Sequence, residues 1–306
     1  MSVLRTAGLT KRFGGLTAVD DVDFELAEDE LCSLIGPNGA GKTTFFDLLT
    51  GALEPTAGTV ELAERDSGGD GTAERAEPSG SVGWVDVTDD PMHATAKRGL
   101  HRSYQVTNVF PTSTVLENVR VAAQAHGSDS FRGWRNVNSF EPYLEEAHAI
   151  LDRVGLAAKA DLPAETLSHG EKRQLEVGVA LAGDPDVLLL DEPNAGVSSE
   201  SVDEIIALIE DVADDHAVLL VEHNMDIVMN VSDRIVVLNR GEVIADGPPE
   251  AVRDDPAVQE AYLGGYEPGD LSDGADSGGE SDRAPSGEAD PTGAADPDEP
   301  DGGETG

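Results

Sequence analysis

The residues from Gly36 to Thr43 combine glycines, a lysine and a threonine in a spacing that suits phosphate binding. They fit the pattern G-x-x-x-x-G-K-[ST], follow the apolar run 31–35 and open a helical segment. In such a loop, main-chain N–H groups and a helix N-terminus face phosphate oxygens. We predict that Lys42 reaches the β- and γ-phosphates and that the Thr43 hydroxyl ligates Mg²⁺. The predicted nucleotide contacts of this loop are Gly36, Pro37, Asn38, Gly39, Ala40, Gly41, Lys42, Thr43 and Thr44.

A second candidate site lies where the apolar run 187–190 ends in two carboxylates, Asp191 and Glu192. In open α/β sheets, ligands bind at the carboxyl ends of the strands. Asp191 suits the outer shell of Mg²⁺, and Glu192, on the opposite side, suits a general base that activates the attacking water. The alternative is a plain strand end followed by a turn, which the phosphate loop at 36–43 disfavours.

These residues need strands and helices to hold them in place. Short β-branched and Leu-rich runs alternate with helical segments, which predicts an α/β fold with a mostly parallel sheet. The middle of the chain lacks strong strand runs, so we predict an inserted helical subdomain there, with helices near 115–126 and 142–154. The predicted strands are 31–35, 186–190, 217–221 and 234–239, and the other predicted helices are 41–50, 170–183, 200–214, 224–231 and 256–263.

The charge of the chain restricts its partners. Its 306 residues include 61 acidic and 20 basic side chains, for a formal net charge of -41. This charge argues against nucleic acid and anionic lipid heads. It suits a protein that stays hydrated in concentrated salt, and an ordinary acidic protein is the alternative. Because segments 63–92 and 267–306 can bury little apolar surface, we predict a mobile acidic loop and a disordered acidic tail.

Cysteine usage and hydropathy bear on the compartment. Cys32 is the single cysteine, so no internal disulfide can form and nothing indicates an oxidising compartment. The N-terminus lacks the apolar stretch of a signal peptide. No apolar run approaches the roughly 18 residues that span a bilayer. Any membrane role is therefore expected to come from a partner.

The run Leu167-Ser168-His169-Gly170-Glu171 resembles the signature loop Leu-Ser-Gly-Gly-Gln of the ATP-binding subunits of ABC transporters. It departs from that pattern at His169 and Glu171 and keeps Ser168 and Gly170. The resemblance implies that Ser168 and Gly170 contact the γ-phosphate of ATP held by a second ABC ATPase subunit, so that hydrolysis needs a dimer. Ser168 is also a natural helix N-cap, and the two roles can coexist. We expect no catalytic role for His169.

Other positions match the family in order. The resemblance implies that Phe13 stacks on adenine, although a core aromatic is the alternative. It implies that Gln105 touches Mg²⁺ and the attacking water, and that His223 contacts the γ-phosphate. Ser198 stands where the family usually has an Asp that communicates across the dimer.

The resemblance covers about 1–266 and implies a P-loop ATPase core, an N-terminal antiparallel β subdomain and a helical subdomain at about 110–183. The runs KRFGGLTAVDDVDFEL and VQEAYLG are similar to the branched-chain amino acid importer ATPases, and urea importer ATPases share much of the pattern. The implied partners are transmembrane permease subunits, a second ATPase subunit in a homo- or heterodimer and, indirectly, an external solute-binding protein. The implied location is peripheral, on the cytoplasmic face of the cell membrane.

Other classes remain as alternatives. An exporter subunit is the nearest rival. A soluble ABC ATPase of DNA repair is disfavoured because no heptad run is present, and one of translation because the chain has a single phosphate loop. A module that holds ATP without hydrolysing it is disfavoured by the presence of both Glu192 and His223.

Overall fold

An antiparallel sheet is built from the N-terminal part of the chain. The computed structural model describes residues 1–64, 83–103, 109–126 and 141–263. In these residues β1 (Ser2–Phe13), β2 (Leu16–Ala27), β4 (Ala57–Ala63) and β5 (Trp84–Asp86) form a sheet of order β2-β1-β4-β5. All its pairs are antiparallel. This is the N-terminal β subdomain that the family resemblance implies.

A second sheet carries the candidate sites, and its order in the described residues is β10-β9-β3-β8-β7-β6. Its pairs are parallel except for β9 with β10. The mostly parallel sheet predicted from the sequence is therefore confirmed. Its strands are β3 (Leu31–Ile35), β6 (Leu100–Ser103), β7 (Val187–Asp191), β8 (Ala217–Val221), β9 (Arg234–Asn239) and β10 (Glu242–Gly247).

Helices cover the parallel sheet and form the inserted segment. Three of them, α3 to α5, fall within the predicted helical subdomain. None of the described helices has the length and apolar character that a bilayer crossing requires. The helices of the described residues are α1 (Lys42–Leu49), α2 (Met92–Lys97), α3 (Val115–His126), α4 (Glu141–Arg153), α5 (His169–Leu181), α6 (Ser199–Ala213), α7 (Met225–Val231), α8 (Pro249–Arg253) and α9 (Pro256–Leu263).

The core lies on both faces of the parallel sheet, and β7 shows how. Val187 and Leu189 join the apolar cluster shared with α1 and the antiparallel sheet. Leu188 and Leu190 join the cluster shared with α3, α4, α5 and α6. Because alternate side chains of a strand face opposite ways, β7 is held from both sides, at roughly 1.5–3 kcal/mol for each buried Leu. The strand end that carries Asp191 is therefore fixed firmly.

Part of the segment predicted as a loop is a strand. Trp84–Asp86 pairs with β4, with Val85 opposite Leu62. The Arg5 guanidinium lies 4.1 Å from the Trp84 ring centroid. The loop prediction for 63–92 is thus wrong at Trp84–Asp86. There β4 offers an open sheet edge and Arg5 makes a cation–π contact with Trp84, and these contacts order the strand within a segment of mostly polar composition. Residues 65–82 and the predicted tail, 267–306, lie outside the described residues.

Candidate functional site

The phosphate loop joins the end of β3 to the start of α1. Gly36 and Gly41 have φ angles of 151° and 110°. A Cβ at Gly36 would lie 2.1 Å from the carbonyl oxygen of Leu238, and one at Gly41 would lie 2.3 Å from that of Ala18. Both positions therefore require glycine, because the loop presses directly on the main chains of β9 and β2.

Lys42 lies at the first position of α1 and crosses the loop. Its side chain is buried, and its Nζ donates to the carbonyl oxygens of Gly36 at 2.6 Å and Pro37 at 3.3 Å. Burial lowers the pKa of Lys42, while the nearby carboxylates of Glu192 and Asp191 act in the opposite direction. The ammonium is thus held at the loop by neutral carbonyls that an anionic ligand can replace.

A cleft of about 600 Å³ lies over the loop. It brings together residues 38–44 of the loop with Phe13, Glu192 and His223. Phe13 is 48% exposed, so the alternative of a core aromatic is excluded. Leu16 and Arg240 also line this cleft, and the sequence analysis missed both. Gly36 is absent from the described lining, and Pro37 lines a neighbouring cleft instead.

Glu192 and His223 form a pair in this cleft. His223 Nε2 lies 2.6 Å from Glu192 Oε1. Glu192 has a φ of 47°, in the left-handed region, and its N–H donates to the Val221 carbonyl at 2.8 Å. A non-glycine residue in that region costs about 1–3 kcal/mol, and such strain clusters at active sites. The strained turn directs the carboxylate toward the phosphate loop.

Asp191 is more deeply buried than Glu192, with only 6% of its surface exposed. Its Oδ2 accepts from the Arg102 guanidinium at 2.7 Å, and Arg102 also donates to Asp47 at 2.5 Å. Burial tends to lower the pKa of Arg102, but the hydrogen bonds to Asp47 and Asp191 outweigh it and raise the pKa. The guanidinium thereby fixes the orientation of the Asp191 carboxylate.

The donor groups at this edge suit Mg²⁺. Thr43 offers an exposed hydroxyl, and Asp191 offers a carboxylate that is held by the Arg102 guanidinium. Hard oxygen donors, few in number and completed by phosphate and water, are what Mg²⁺ prefers. The third predicted metal ligand, Gln105, lies outside the described residues.

Ser168 and Gly170 stand at the start of α5. Ser168 caps the helix, with Glu171 N–H donating to Ser168 Oγ at 3.3 Å and Ser168 N–H donating to Glu171 Oε2 at 2.9 Å. Gly170 is buried, and a Cβ there would lie 2.9 Å from the Ser201 Cβ. Neither residue is among the described residues that line the cleft. The N-cap expectation for Ser168 is thus confirmed, while its role toward a second subunit stays a prediction.

A buried link joins the turn after β7 to the strand end that carries His223. Glu222 is 5% exposed, and its Oε1 accepts from the main-chain N–H of Asn194 at 3.1 Å and from its side-chain amide at 3.0 Å. Glu222 Oε2 also accepts from the His223 N–H at 3.1 Å. The sequence analysis missed this link. The one local sign of this link in the sequence is that Glu222, a charged residue, directly follows the fully apolar strand β8.

Comparisons with known proteins agree with the resemblance. Residues 19–195 match the family described as ABC transporter, and residues 242–268 match the one described as branched-chain amino acid ATP-binding cassette transporter. The branched-chain amino acid transport ATP-binding protein BraF of Pseudomonas aeruginosa is 39% identical, over 86% of this chain and 98% of its own. The lipopolysaccharide export system ATP-binding protein LptB of Acidithiobacillus ferridurans is 32% identical, over 86% and 97%.

Solved structures show the same architecture. The ADP conformation of an ATP-binding cassette from an ABC transporter aligns with a TM-score of 0.71 and 29% identity. The alignment covers 86% of this chain and 99% of that one. A nucleotide-free ATP-binding cassette aligns with a TM-score of 0.70 and 28% identity, with the same coverage.

Proposed function

This chain belongs to the ABC transporter family as an ATP-hydrolysing subunit, and we propose that it powers the import of branched-chain amino acids through a separate permease. The proposed cargo rests on one observation: residues 242–268 match the family described as branched-chain amino acid ATP-binding cassette transporter. The higher identity to BraF than to LptB supports import over export. A urea importer is the alternative that the experiment below separates.

ATP occupies the cleft over the phosphate loop in this proposal. Phe13, half exposed at the rim, stacks on the adenine, and the main chain of residues 36–44 cradles the phosphates. Lys42 exchanges its two loop carbonyls for β- and γ-phosphate oxygens. Thr43 and Gln105 are the proposed ligands of Mg²⁺, and Asp191 is proposed for its outer shell. When bound, the ion would neutralise charge on the phosphate oxygens.

Hydrolysis uses Glu192 as the general base. Its carboxylate accepts a proton from water as the water oxygen bonds to the γ-phosphorus and the bond to the ADP oxygen breaks. His223 holds the carboxylate through the 2.6 Å contact and faces the γ-phosphate. Support for these roles comes from the strained turn at Glu192, which points its carboxylate into the cleft and not along the line of β7.

A second ABC ATPase subunit completes each site. Ser168 and Gly170 of one subunit bind the γ-phosphate held by the other, where the N-terminus of α5 adds a partial positive charge. Support comes from the exposure of Ser168 at the start of α5, away from the cleft of its own chain. Release of phosphate removes this bridge, so ATP shifts the balance between closed and open dimers.

The permease docks on the helical subdomain, at the cytoplasmic face of the membrane. Phe110 and Leu162 are 57% and 45% exposed. They lie on adjoining segments, because the Val115 N–H donates to the Leu162 carbonyl at 2.9 Å and Thr114 bridges Pro163. Large apolar side chains exposed on two adjoining segments favour a protein partner. An external solute-binding protein delivers the amino acid on the other side.

The acidic surface suits work in concentrated salt. At 1 M salt the Debye length is about 3 Å, so repulsion within a chain of net charge -41 is largely screened. Acidic side chains also hold water at the surface when salt competes for it. We therefore assign this ATPase to a salt-rich cytoplasm.

The cargo is tested in the assembled transporter. The chain is purified with its permease and companion ATPase subunit at high KCl, and MgATP hydrolysis is measured with the solute-binding protein and each candidate solute. We expect Leu, Ile or Val to stimulate hydrolysis several-fold and urea or short amides to leave it unchanged. A complex that carries Glu192→Gln provides the background rate.

The opposite pattern has a definite meaning. If only urea or an amide stimulates hydrolysis, the assigned solute changes and the proposed ATPase mechanism stands. If no permease accompanies the chain and no solute changes hydrolysis, the importer assignment fails.

A further inference from the structure

Glu222 is a buried carboxylate that has no part in the hydrolysis steps proposed above. It directly follows β8 and is 5% exposed. In the part of the chain that the structure describes, no basic side chain lies within ion-pair distance of it. Three N–H groups donate to its oxygens instead. Burial of a carboxylate is costly unless such donors replace water, so the position of these donors indicates what the residue holds.

The two oxygens of Glu222 hold two different segments. Oε1 accepts from the main-chain N–H of Asn194 at 3.1 Å and from its side-chain amide at 3.0 Å. Oε2 accepts from the His223 N–H at 3.1 Å. Asn194 Oδ1 is buried and has no hydrogen-bond partner among the described residues, so Glu222 alone holds that amide there. One carboxylate thus joins the turn after β7 to the segment after β8.

The turn held by Glu222 is the strained turn of Glu192. The Glu192 N–H donates to the Val221 carbonyl at 2.8 Å, and the Ala195 N–H donates to the Glu192 carbonyl at 3.0 Å. Asn194 lies within this turn and is bound to the next residue after Val221. The turn is therefore tied to the end of β8 at two successive residues. A strained φ, 47° at Glu192, persists only where the surrounding contacts fix it in this way.

We infer that Glu222 is a positioning residue for ATP hydrolysis, which sets the contact between Glu192 and His223. It is not among the described residues that line the nucleotide cleft. One oxygen fixes the turn that carries Glu192, and the other fixes the main chain of His223, whose Nε2 lies 2.6 Å from Glu192 Oε1. The inference rests on the proposed function, in which Glu192 is the general base, and it is independent of which solute is transported.

The test replaces the carboxylate by an amide of the same shape. The side chain of Glu222→Gln can still accept from Asn194, but its NH₂ group then faces the His223 N–H, so one of the two segments is released. Displacement of a reacting group by about 1 Å can cost roughly 10²-fold in rate. In the assembled complex we expect kcat to fall about ten- to a hundredfold, while the Kd for a fluorescent ATP analogue stays within twofold. Rates are expressed per nucleotide-binding chain, so that loss of folded protein does not lower them.

A second variant loosens the same link from its other end. Asn194→Ala removes the side-chain amide and keeps the main-chain bond to Glu222. We expect kcat to fall about three- to tenfold, again without a change in Kd. This variant decides the question if Glu222→Gln does not fold.

Glu30→Gln is the matched control. Glu30 also accepts from a main-chain N–H, that of Ala27 at 2.7 Å, and from Arg234 at 2.6 Å. It precedes β3, whose opposite end starts the phosphate loop. The control should lower the melting temperature and leave kcat within twofold of wild type, because its contacts do not reach Glu192 or His223.

The kcat and the Kd together decide the outcome. The inference is overturned if kcat per binding chain stays within twofold of wild type in both link variants, or if Kd rises along with the fall in kcat. Glu192→Gln, measured in parallel, separates two failures. If it is inactive while both link variants hydrolyse ATP like wild type, the inference alone fails. If it also hydrolyses ATP like wild type, the proposed general base and the inference fail together.

Discussion

At the scale of single residues, Glu192, the proposed general base, combines a strained backbone with a place in the cleft. Its φ of 47° turns the carboxylate away from the line of β7, and His223 meets it at 2.6 Å. Asp191, one residue earlier, remains in the strand and is held by Arg102 at 2.7 Å. Two neighbouring carboxylates at the end of one strand thus lie in different surroundings. Asp191 is fixed in an ion pair, and Glu192 faces the cleft.

The first prediction concerns this carboxylate. Glu192→Gln keeps the shape of the side chain and removes its ability to accept a proton. We expect hydrolysis by the assembled complex to fall by about 10²–10⁴-fold, the usual contribution of a general base, while ATP binding is retained. Size-exclusion chromatography with MgATP should then show a trapped dimer. Glu210→Gln, an exposed change on α6, is the matched control. Hydrolysis within twofold of wild type in Glu192→Gln would remove this residue from its role.

At the scale of elements, β3 is the central support of the site. All five of its residues are buried, and it pairs with β8 on one side and β9 on the other. Its end at Ile35 sets the start of the phosphate loop, and α9 rests on the same residue. The position of the loop therefore depends on a strand that has no contact with solvent.

The second prediction uses the thiol inside β3. Burial raises the pKa of Cys32 well above its ordinary value. In the unfolded chain the thiol ionises near pH 8.5, so only the unfolded state loses this proton between about pH 9 and 11. A raised folded pKa gives stability that is complete below the unfolded pKa and is lost as pH rises. Over that range, the free energy of unfolding should fall by about 1.4 kcal/mol per pH unit more in wild type than in Cys32→Ala.

Urea unfolding at fixed KCl checks this difference. The two proteins are compared at pH 7.5, 9.5 and 10.5, so that other titrating groups cancel. Parallel losses of stability with pH in both would show that the thiol is not sequestered in the native state.

The strand–loop–helix unit was predictable because its signal is contiguous. Gly36 to Thr43 specify their own turn, and the apolar runs on either side specify the strand and the helix. The link from Glu222 to Asn194 was not predictable, because it joins residues 28 positions apart whose proximity depends on the pairing of β7 with β8. The strand Trp84–Asp86 was missed for a related reason. Its order comes from β4 and Arg5, which lie elsewhere in the chain.

At the scale of the whole molecule, charge is the dominant feature. The chain carries a net charge of -41 over its 306 residues. Some acids are paired, as in the contacts of Arg153 with Asp211 and Asp215 at 2.7 Å. Basic side chains are nevertheless far fewer than acidic ones, so most of the repulsion has to be reduced by the solvent.

The third prediction follows from this excess. Raising KCl from about 0.1 M to 2 M should increase the melting temperature by on the order of 10 °C, because screening shortens the Debye length from about 10 Å to under 3 Å. For a chain of this size such a shift corresponds to a few kcal/mol. Differential scanning calorimetry measures it. Sucrose at matched osmolality, which does not screen charge, should give a smaller rise. A melting temperature that is flat or falls with KCl would contradict the assignment to a salt-rich cytoplasm.

The burial of the single cysteine has a practical consequence. Because the only thiol of the chain is enclosed in β3 and resists ionisation, it should stay unmodified by maleimides at neutral pH. A cysteine introduced at an exposed position such as Ser198 would then take a spin label or fluorophore without background. The proposed opening and closing of the subunit pair would then be measurable as a distance between two probes, on a chain that needs no prior cysteine removal.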